Sequence, residues 1–379
     1  MKGVEQTQLV LHDSLIFNTL LVAGGLAMLY FGSEWLVRGS VNIAKKMQVS
    51  QLVIGLTIVA FGTSTPELVV SINAALSGQA DISLGNVVGS NIVNIGLILG
   101  LSAAIFPLAV HINTIRKEVP IMIGAALVLI LLSLFDNEIT RIEGILLVFA
   151  LIVFVYFSYK QSRKEGETKR KEGPASNFDA NETQTMTIED ISPVIETASD
   201  PVRHIVKKDS KGQPKGDASI RTRTTATDIS APSFVKSILL IAVGLTLLYF
   251  GATFTVDNAV VIATAVGISE RIVGLTIVAI GTSLPELITS VVAAKKKHLD
   301  LSIGNIVGSN IFNVLSIVGI SATIAGVSVN PDIFIDYAVM IAFSLLLIPL
   351  MRSGFVITRI EGYGLVAAYS VYLLILLLM

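Results

Sequence analysis

Apolar residues gather in ten runs along the chain, at 15–37, 50–76, 83–106, 119–135, 142–159, 234–256, 272–294, 302–325, 333–351 and 360–379. Runs of this length suit helices across a hydrocarbon core about 30 Å thick, with 119–135 and 333–351 near the short limit. Residues 160–233 hold no long apolar run. They carry 13 Lys/Arg against 12 Asp/Glu, with many Ser and Thr. Such a polyampholyte cannot bury much of a core, so it reads as a largely disordered linker, with a small regulatory element as the other reading. The pattern predicts an all-α membrane protein: five spans in 1–159, a polar linker at 160–233, and five spans in 234–379. Composition agrees, with 53% hydrophobic and 15% charged residues and a mean hydropathy of +0.76.

The two halves repeat one another. Residues 55–103 begin GLTIVAFGTSTPELVVS and continue to LGNVVGSNIVNIGLILGLSA; residues 274–322 begin GLTIVAIGTSLPELITS and continue to IGNIVGSNIFNVLSIVGISA. They align without a gap at an offset of 219, with 29 of 49 positions identical. LAMLYFG (26–32) recurs as LTLLYFG (245–251) at that offset, and ITRIEG (139–144) as ITRIEG (357–362), one residue out of phase. Five spans per half is an odd number, so the halves must enter the membrane in opposite directions. The fold expected is therefore ten transmembrane helices as two inverted five-helix repeats, the plan of secondary transporters with a site at the midplane.

Loop charges orient this plan. Arg38, Lys45, Lys46, Arg116, Lys117, the linker cations, Lys295, Lys296, Lys297, Arg352 and Arg359 fall on one side, against Lys2, Arg141 and Arg271 on the other. Both termini are then outside and the linker is cytoplasmic, with the cell (plasma) membrane as the expected location. The opening MKGVEQTQLVLHDS lacks the basic, apolar and small-residue regions of a signal peptide. A net charge of −1 gives no reason to expect a nucleic-acid partner, and the lack of cysteine excludes disulfides, thiol catalysis and Cys-based metal sites.

The duplicated motif carries the chemistry. Each copy sets a carboxylate, Glu67 or Glu286, beside a proline in an apolar span, where an acid is costly and function is its default reading. Pro66 has no N–H and crowds the carbonyl of Gly62; Pro285 and Gly281 repeat this, so both helices should kink or open and free backbone carbonyls. Ala60, Thr63, Ser64 and Glu67 fall on one helical stripe, as do Ala279, Thr282, Ser283 and Glu286. Ser90 with Asn94, and Ser309 with Asn313, are spaced i, i+4. Gly85, Gly89, Gly304 and Gly308 would let helices approach closely, although GxxxG spacing alone usually means packing. Inversion would bring Glu67 and Glu286 together as an anionic pocket of hard oxygens, suited to Ca²⁺ or to Na⁺ ions. Two carboxylates so close repel one another, so proton competition stays open.

Other polar residues weigh less. Glu34 is matched by Thr253 and Asp257 by Arg38, so symmetry does not support either as a ligand. Asp81 and Asp300 read as N-terminal caps. Glu118, Asp136, Glu143, Asp332, Asp336 and Glu361 read as solvated boundary residues. His12, His111, His204 and His298 lie outside the central motifs, against a histidine proton relay or a zinc site.

At GTSTPE and GTSLPE, paired with GNVVGSNIVN and GNIVGSNIFN, the chain resembles the cation/calcium antiporter superfamily, most closely its prokaryotic-type sodium/calcium exchangers. The resemblance covers all but the linker and termini. It implies antiport of Ca²⁺ against Na⁺ with no cofactor and no enzymatic activity, by a monomer in lipid whose helices one and six slide across a core of helices two, three, seven and eight. It implies Ca²⁺ ligation by the Glu67 and Glu286 carboxylates and the Thr63 and Thr282 carbonyls. Sodium would take the Ala60 carbonyl, Ser64 and Ser309 on one side, and the Ala279 carbonyl, Ser283 and Ser90 on the other, with Asn94 and Asn313 lining the centre. Potassium-dependent relatives, and some prokaryotic members, carry Asp where this chain has Asn313; Asn at both positions is similar to potassium-independent animal exchangers and favours exchange without potassium. Coupling to protons or potassium is the alternative; a cation channel and a membrane-embedded enzyme are remoter ones.

Overall fold

A computed structural model of the chain describes residues 2–172, 233–267 and 279–378. The apolar runs there are helices: α1 Lys2–Met47, α2 Gln51–Thr63, α3 Thr65–Leu76, α4 Ala80–Ile105, α5 Thr114–Phe135, α6 Arg141–Glu172, α7 Phe234–Ala265, α8 Ala279–Thr282, α9 Leu284–Lys295, α10 Leu299–Ala325, α11 Ile333–Arg352 and α12 Arg359–Leu378. Among the described residues eight helices are long and apolar enough to cross a membrane, and α2 with α3, bent by 49°, makes a ninth. The remaining expected run, 272–294, begins in residues 268–278, outside the described residues, as does Arg271. Residues 173–232, most of the expected linker with His204, also lie outside them.

The linker does not start at 160. Helix α6 continues to Glu172 because its polar turns find partners: Ser162 accepts the backbone N–H of Ser50 at 2.7 Å, and Glu165 accepts from Asn113 at 3.4 Å. Residues up to Glu167 and from Pro232 belong to one compact unit, so both halves build one body.

Helices α1 and α7, which carry the two longest candidate membrane segments, pack along small residues. A Cβ on Gly25, Gly32 or Gly39 of α1 would lie 2.8 Å from the carbonyl oxygen of Gly251, Gly244 or Ser237 of α7, respectively. The α7 number falls by seven as the α1 number rises by seven, so the helices run antiparallel with small residues at every second turn of the seam. The membrane segment of α1, Leu15–Met47, has 33 residues and that of α7 has 32. At 1.5 Å per residue each is about 50 Å long, too long to stand upright within a core of about 30 Å.

Helix α10 is the centre of the bundle, with 94% of its most apolar stretch buried, against 17% for α12 on the periphery. Gly304 and Gly308 press its backbone onto α2: a Cβ there would lie 2.5 Å from the Leu52 oxygen and 2.7 Å from the Leu56 Cα. At Gly85 and Gly89 nothing described lies within 4 Å of a Cβ. The segment matching 52–59 in the other half, 271–278, is outside the described residues.

Two short antiparallel pairs clip the connections, β1 Leu108–Ala109 with β4 Val356–Ile357 and β2 Glu138–Ile139 with β3 Val327–Ser328. The repeated ITRIEG is a capping box at each occurrence. Glu143 accepts from the Thr140 N–H at 2.7 Å while Thr140 Oγ1 accepts from the Glu143 N–H at 3.3 Å, and Thr358 with Glu361 repeats both distances. Glu143 and Glu361 are thus structural rather than merely solvated. Asp336 accepts from the Tyr372 hydroxyl at 2.7 Å. Glu118 corrects the expectation further: it lies within α5 rather than at its edge, and its Oε2 is buried with no hydrogen-bond partner among the described residues. Asp81 and Asp300 are not caps. Gln79 and His298 hold those positions, and the acids sit in the first turn, where a negative charge still favours the helix dipole.

Candidate cation site

Helices α2 and α8 each stop at a serine. Ser64 has φ −80° and ψ 10°, Ser283 φ −87° and ψ 8°, and Pro66 and Pro285 follow in the first turns of α3 and α9. Proline suits a helix start, where its missing N–H is not needed. The same lack removes the usual helical donor from the Gly62 and Gly281 carbonyls. The chain nevertheless stays ordered through the break, with Ser64 N donating to the Ala60 oxygen at 3.0 Å and Leu68 N to the Ser64 oxygen at 3.1 Å.

The break aims each serine at the other half. Ser64 Oγ donates to Glu286 Oε1 at 2.8 Å, and Ser283 Oγ donates to Glu67 Oε1 at 3.0 Å. An intramembrane serine commonly bonds its own helix backbone instead. Both carboxylates are 1% exposed. Glu67 Oε2, Glu286 Oε2, Asn94 Oδ1, Asn313 Oδ1 and Ser309 Oγ are all buried without a hydrogen-bond partner among the described residues. Ala60, Thr63, Ser64, Ser90 and Ser283 are buried too, and Ala279 and Thr282 bound α8. Thus the structure joins Glu67, Glu286, Ser64 and Ser283 directly by hydrogen bonds.

A second layer, missed from the sequence, braces this one. Asn86 Nδ2 donates to Ser71 Oγ at 2.8 Å and to the Glu67 carbonyl at 3.1 Å; Asn305 Nδ2 donates to Ser290 Oγ at 3.0 Å and to the Glu286 carbonyl at 3.5 Å. Thr63 Oγ1 donates to Asn305 Oδ1 at 3.2 Å, tying the first break to the second half. Asn313 Nδ2 donates to Asn91 Oδ1 at 3.0 Å and Asn94 Nδ2 to Asn310 Oδ1 at 3.4 Å. Every one of these residues has its partner 219 positions away, and that paired retention of polar groups in apolar helices was the available signal. Asn94 and Asn313 also open π-helical stretches, Asn94–Leu99 and Asn313–Val318. Such turns often mark functional positions.

An unsatisfied buried polar atom costs about 1–3 kcal/mol. Glu67 Oε2 and Glu286 Oε2 are left so on carboxylates that the crossed serine bonds tie between the two halves, which makes them a poor empty core and good ligands for a positive ion. Among the described residues no three His, Asp or Glu side chains group together, so the two carboxylates set the acidic charge of the pocket. Its other donors are neutral oxygens, matching hard cations rather than soft ones.

Comparison with known proteins agrees with this chemistry. The family model for the sodium/calcium exchanger protein matches residues 17–160 and 236–378. The sodium/calcium exchanger MaX1 of Methanosarcina acetivorans is 34% identical over 361 residues, covering 95% of this chain and 98% of that protein. The inner membrane protein YrbG of Escherichia coli is 31% identical over 333 residues, covering 88% of each. Among solved structures, the sodium-calcium exchanger NCX_Mj soaked without Na⁺ and Ca²⁺ matches with a TM-score of 0.71 at 29% identity, covering 96% of this chain and 99% of that one. A motif pair legible in the sequence, the crossed Ser64–Glu286 and Ser283–Glu67 bonds between its buried copies and likeness over nearly the whole chain converge: this integral membrane protein belongs to the sodium/calcium exchanger family.

Proposed function

We propose that the chain is a secondary antiporter exchanging Ca²⁺ for Na⁺ by alternating access to the pocket between Glu67 and Glu286. The observation that carries this reading is the crossed pair of bonds, Ser64 to Glu286 and Ser283 to Glu67. It supports reading the two buried carboxylates as parts of one pocket, and among the described residues neither forms an ion pair with a basic side chain. Burying an uncompensated charge costs several kcal/mol. One Ca²⁺ cancels both charges, and Na⁺ ions cancel them in combination. Closing the pocket empty is therefore unfavourable, so only a filled pocket changes sides and the two fluxes are coupled.

The Glu67 and Glu286 carboxylates with the Thr63 and Thr282 carbonyls hold Ca²⁺. The Ala60 carbonyl, Ser64 and Ser309, and the Ala279 carbonyl, Ser283 and Ser90, hold Na⁺ beside Asn94 and Asn313. The related MaX1 is named a sodium/calcium exchanger, and NCX_Mj has been soaked with Na⁺, Ca²⁺ and Sr²⁺. No cofactor takes part, and since both halves of the pocket come from one chain, the working unit is a monomer in lipid.

The architecture we infer is ten helices in two inverted halves, with both termini outside the cell membrane. Three observations support it. Helices α1 and α7, equivalent through LAMLYFG and LTLLYFG, are antiparallel. Strands β1 and β4, and His111 with Asp300 at 3.6 Å, join connections that the plan puts in the cytoplasm, while β2 and β3 join connections it puts outside. His298, between α9 and α10, is held below its usual pKa by burial and then by Lys45 and Lys296, consistent with a cationic cluster on the cytoplasmic side.

The test is uptake of radiolabelled Ca²⁺ into proteoliposomes under separate Na⁺, K⁺ and pH gradients. An outward Na⁺ gradient should drive uptake, and Glu67→Gln or Glu286→Gln should abolish it. Uptake driven by K⁺ or protons alone changes the coupling ion, uptake indifferent to all three gradients makes the chain a channel, and near-normal exchange by both variants removes this pocket from transport.

A further inference from the structure

We infer that Met122 and Met340, through Asn310 and Asn91, set the polarity of the central amides so that Asn94 and Asn313 present oxygen, not nitrogen, to the cation. This rests on the cation-exchange reading above. A primary amide has an accepting end and a donating end that are nearly equal in shape. Packing alone therefore leaves Asn94 and Asn313 free to point either end at the pocket, and an amide NH₂ facing a cation would repel it. Something outside the pocket has to choose.

The structure supplies a chain of donors for each amide. Asn310 Nδ2 donates to Met122 Sδ at 3.5 Å, and Asn94 Nδ2 donates to Asn310 Oδ1 at 3.4 Å. Asn91 Nδ2 donates to Met340 Sδ at 3.6 Å and to the Asn310 carbonyl at 3.4 Å, and Asn313 Nδ2 donates to Asn91 Oδ1 at 3.0 Å. A thioether sulfur accepts and has no hydrogen to give. The amide beside it must turn its NH₂ to the sulfur and its oxygen to the next amide. That amide must answer with its own NH₂, which leaves its oxygen for the pocket. Asn94 Oδ1 and Asn313 Oδ1 are left buried and, among the described residues, unpartnered. All six side chains are at most 3% exposed, so water is poorly placed to substitute for the sulfur. The relay is also duplicated: the asparagines repeat at an offset of 219, and the methionines at 218, the offset of ITRIEG. Met122 and Met340 lie on α5 and α11, away from the motif helices, so they act as positioning residues.

The test compares two replacements at each methionine by Ca²⁺ and Na⁺ titration of purified protein, read by calorimetry, and by the KM and kcat of exchange. Met122→Leu and Met340→Leu keep volume and apolarity but lose the acceptor; Met122→Gln and Met340→Gln keep an acceptor oxygen at similar reach. Each Leu variant should bind cations about three- to tenfold more weakly, the worth of roughly one hydrogen bond, with KM raised more than kcat is lowered. The Gln variants should bind more tightly than the Leu variants. A packing role gives the reverse order, because Leu for Met is the conservative change in an apolar core. Leu variants that bind and exchange normally, with Gln variants impaired, overturn the relay. A wild-type protein that binds cations without exchanging them overturns the exchange reading alone, and the order of the variants in calorimetry still decides the relay. A wild-type protein that binds neither cation overturns both.

Discussion

Replacing Ser64 by alanine should separate the two transported ions. The hydroxyl has one hydrogen and two lone pairs. Its hydrogen is committed to Glu286 Oε1 at 2.8 Å in a site only 3% exposed at Ser64, which turns the lone pairs back into the pocket. In the proposed assignment those lone pairs serve Na⁺, while Ca²⁺ uses the carboxylates and the threonine carbonyls. A contact between a hydroxyl and a charged partner is worth about 1.5–3 kcal/mol, or roughly 10- to 150-fold in affinity. Ser64→Ala should therefore weaken Na⁺ binding by about tenfold or more and leave Ca²⁺ binding within about threefold, since Glu286 lacks the same hydroxyl in both the empty and the Ca²⁺-bound pocket. Ser283→Ala, whose bond to Glu67 is 3.0 Å, should behave alike. The measurements are the Ca²⁺ concentration for half-maximal uptake and the Na⁺ concentration that half-inhibits it, in the same vesicles. A parallel loss of both affinities would show that Ser64 only holds the pocket in shape, and refute the division of ligands.

Two further outcomes test the fold. Gly304→Ala should lower the thermal denaturation midpoint, since its Cβ would sit 2.5 Å from a backbone oxygen that cannot rotate away, an overpacking cost of about 1–3 kcal/mol; Gly364→Ala, with nothing within 4 Å of its Cβ, should be neutral or slightly stabilising in the same assay. Thr140→Val and Thr358→Val should each cost about 1 kcal/mol by loss of a helix cap, visible as lower denaturation midpoints without a change in cation affinity.

How much of this was legible in the sequence depends on what kind of physics encoded it. Lipid demands long apolar runs, so α4, α10, α11 and α12 start and stop within a few residues of their expected limits. A buried acid is costly enough to advertise itself, so Glu67 and Glu286 stood out, and the prolines located the breaks. The limits of α1 and α6 were less legible because helices continue wherever polar side chains find partners, as Ser162 and Glu165 do beyond the apolar stretch. The π-helical turns at Asn94 and Asn313 come from how helices pack rather than from residue preference, and no local pattern announced them. Other features were written in the sequence and overlooked. Gly25, Gly32 and Gly39 face Gly251, Gly244 and Ser237, respectively, at a period of seven, and Asn86, Asn91, Asn305 and Asn310 repeat as faithfully as the carboxylates. They differ from the carboxylates in cost: an amide in an apolar helix is cheap enough to pass for packing.

The departures from symmetry lie away from the pocket. Glu34 on α1 accepts from Lys296 Nζ at 2.9 Å and also pairs with Arg38. The corresponding positions in the repeat are Thr253, Ser77 and Asp257, so no matching tie can form at the other face. Glu34 and Lys296 are 17% and 28% exposed, and ion pairs open to solvent contribute at most about 1 kcal/mol, a bias of about fivefold between two states. That magnitude is enough to tilt an alternating equilibrium and too small to lock it. The centre differs: its two serine–carboxylate bonds are duplicated atom for atom, Ser64 to Glu286 and Ser283 to Glu67, and in the proposed mechanism a site that releases the same ions to either side needs equivalent ligands from both halves. Under alternating access, the direction-dependent differences therefore belong to the rim, where Glu34 and Lys296 meet, and the choice of ion belongs to the duplicated centre.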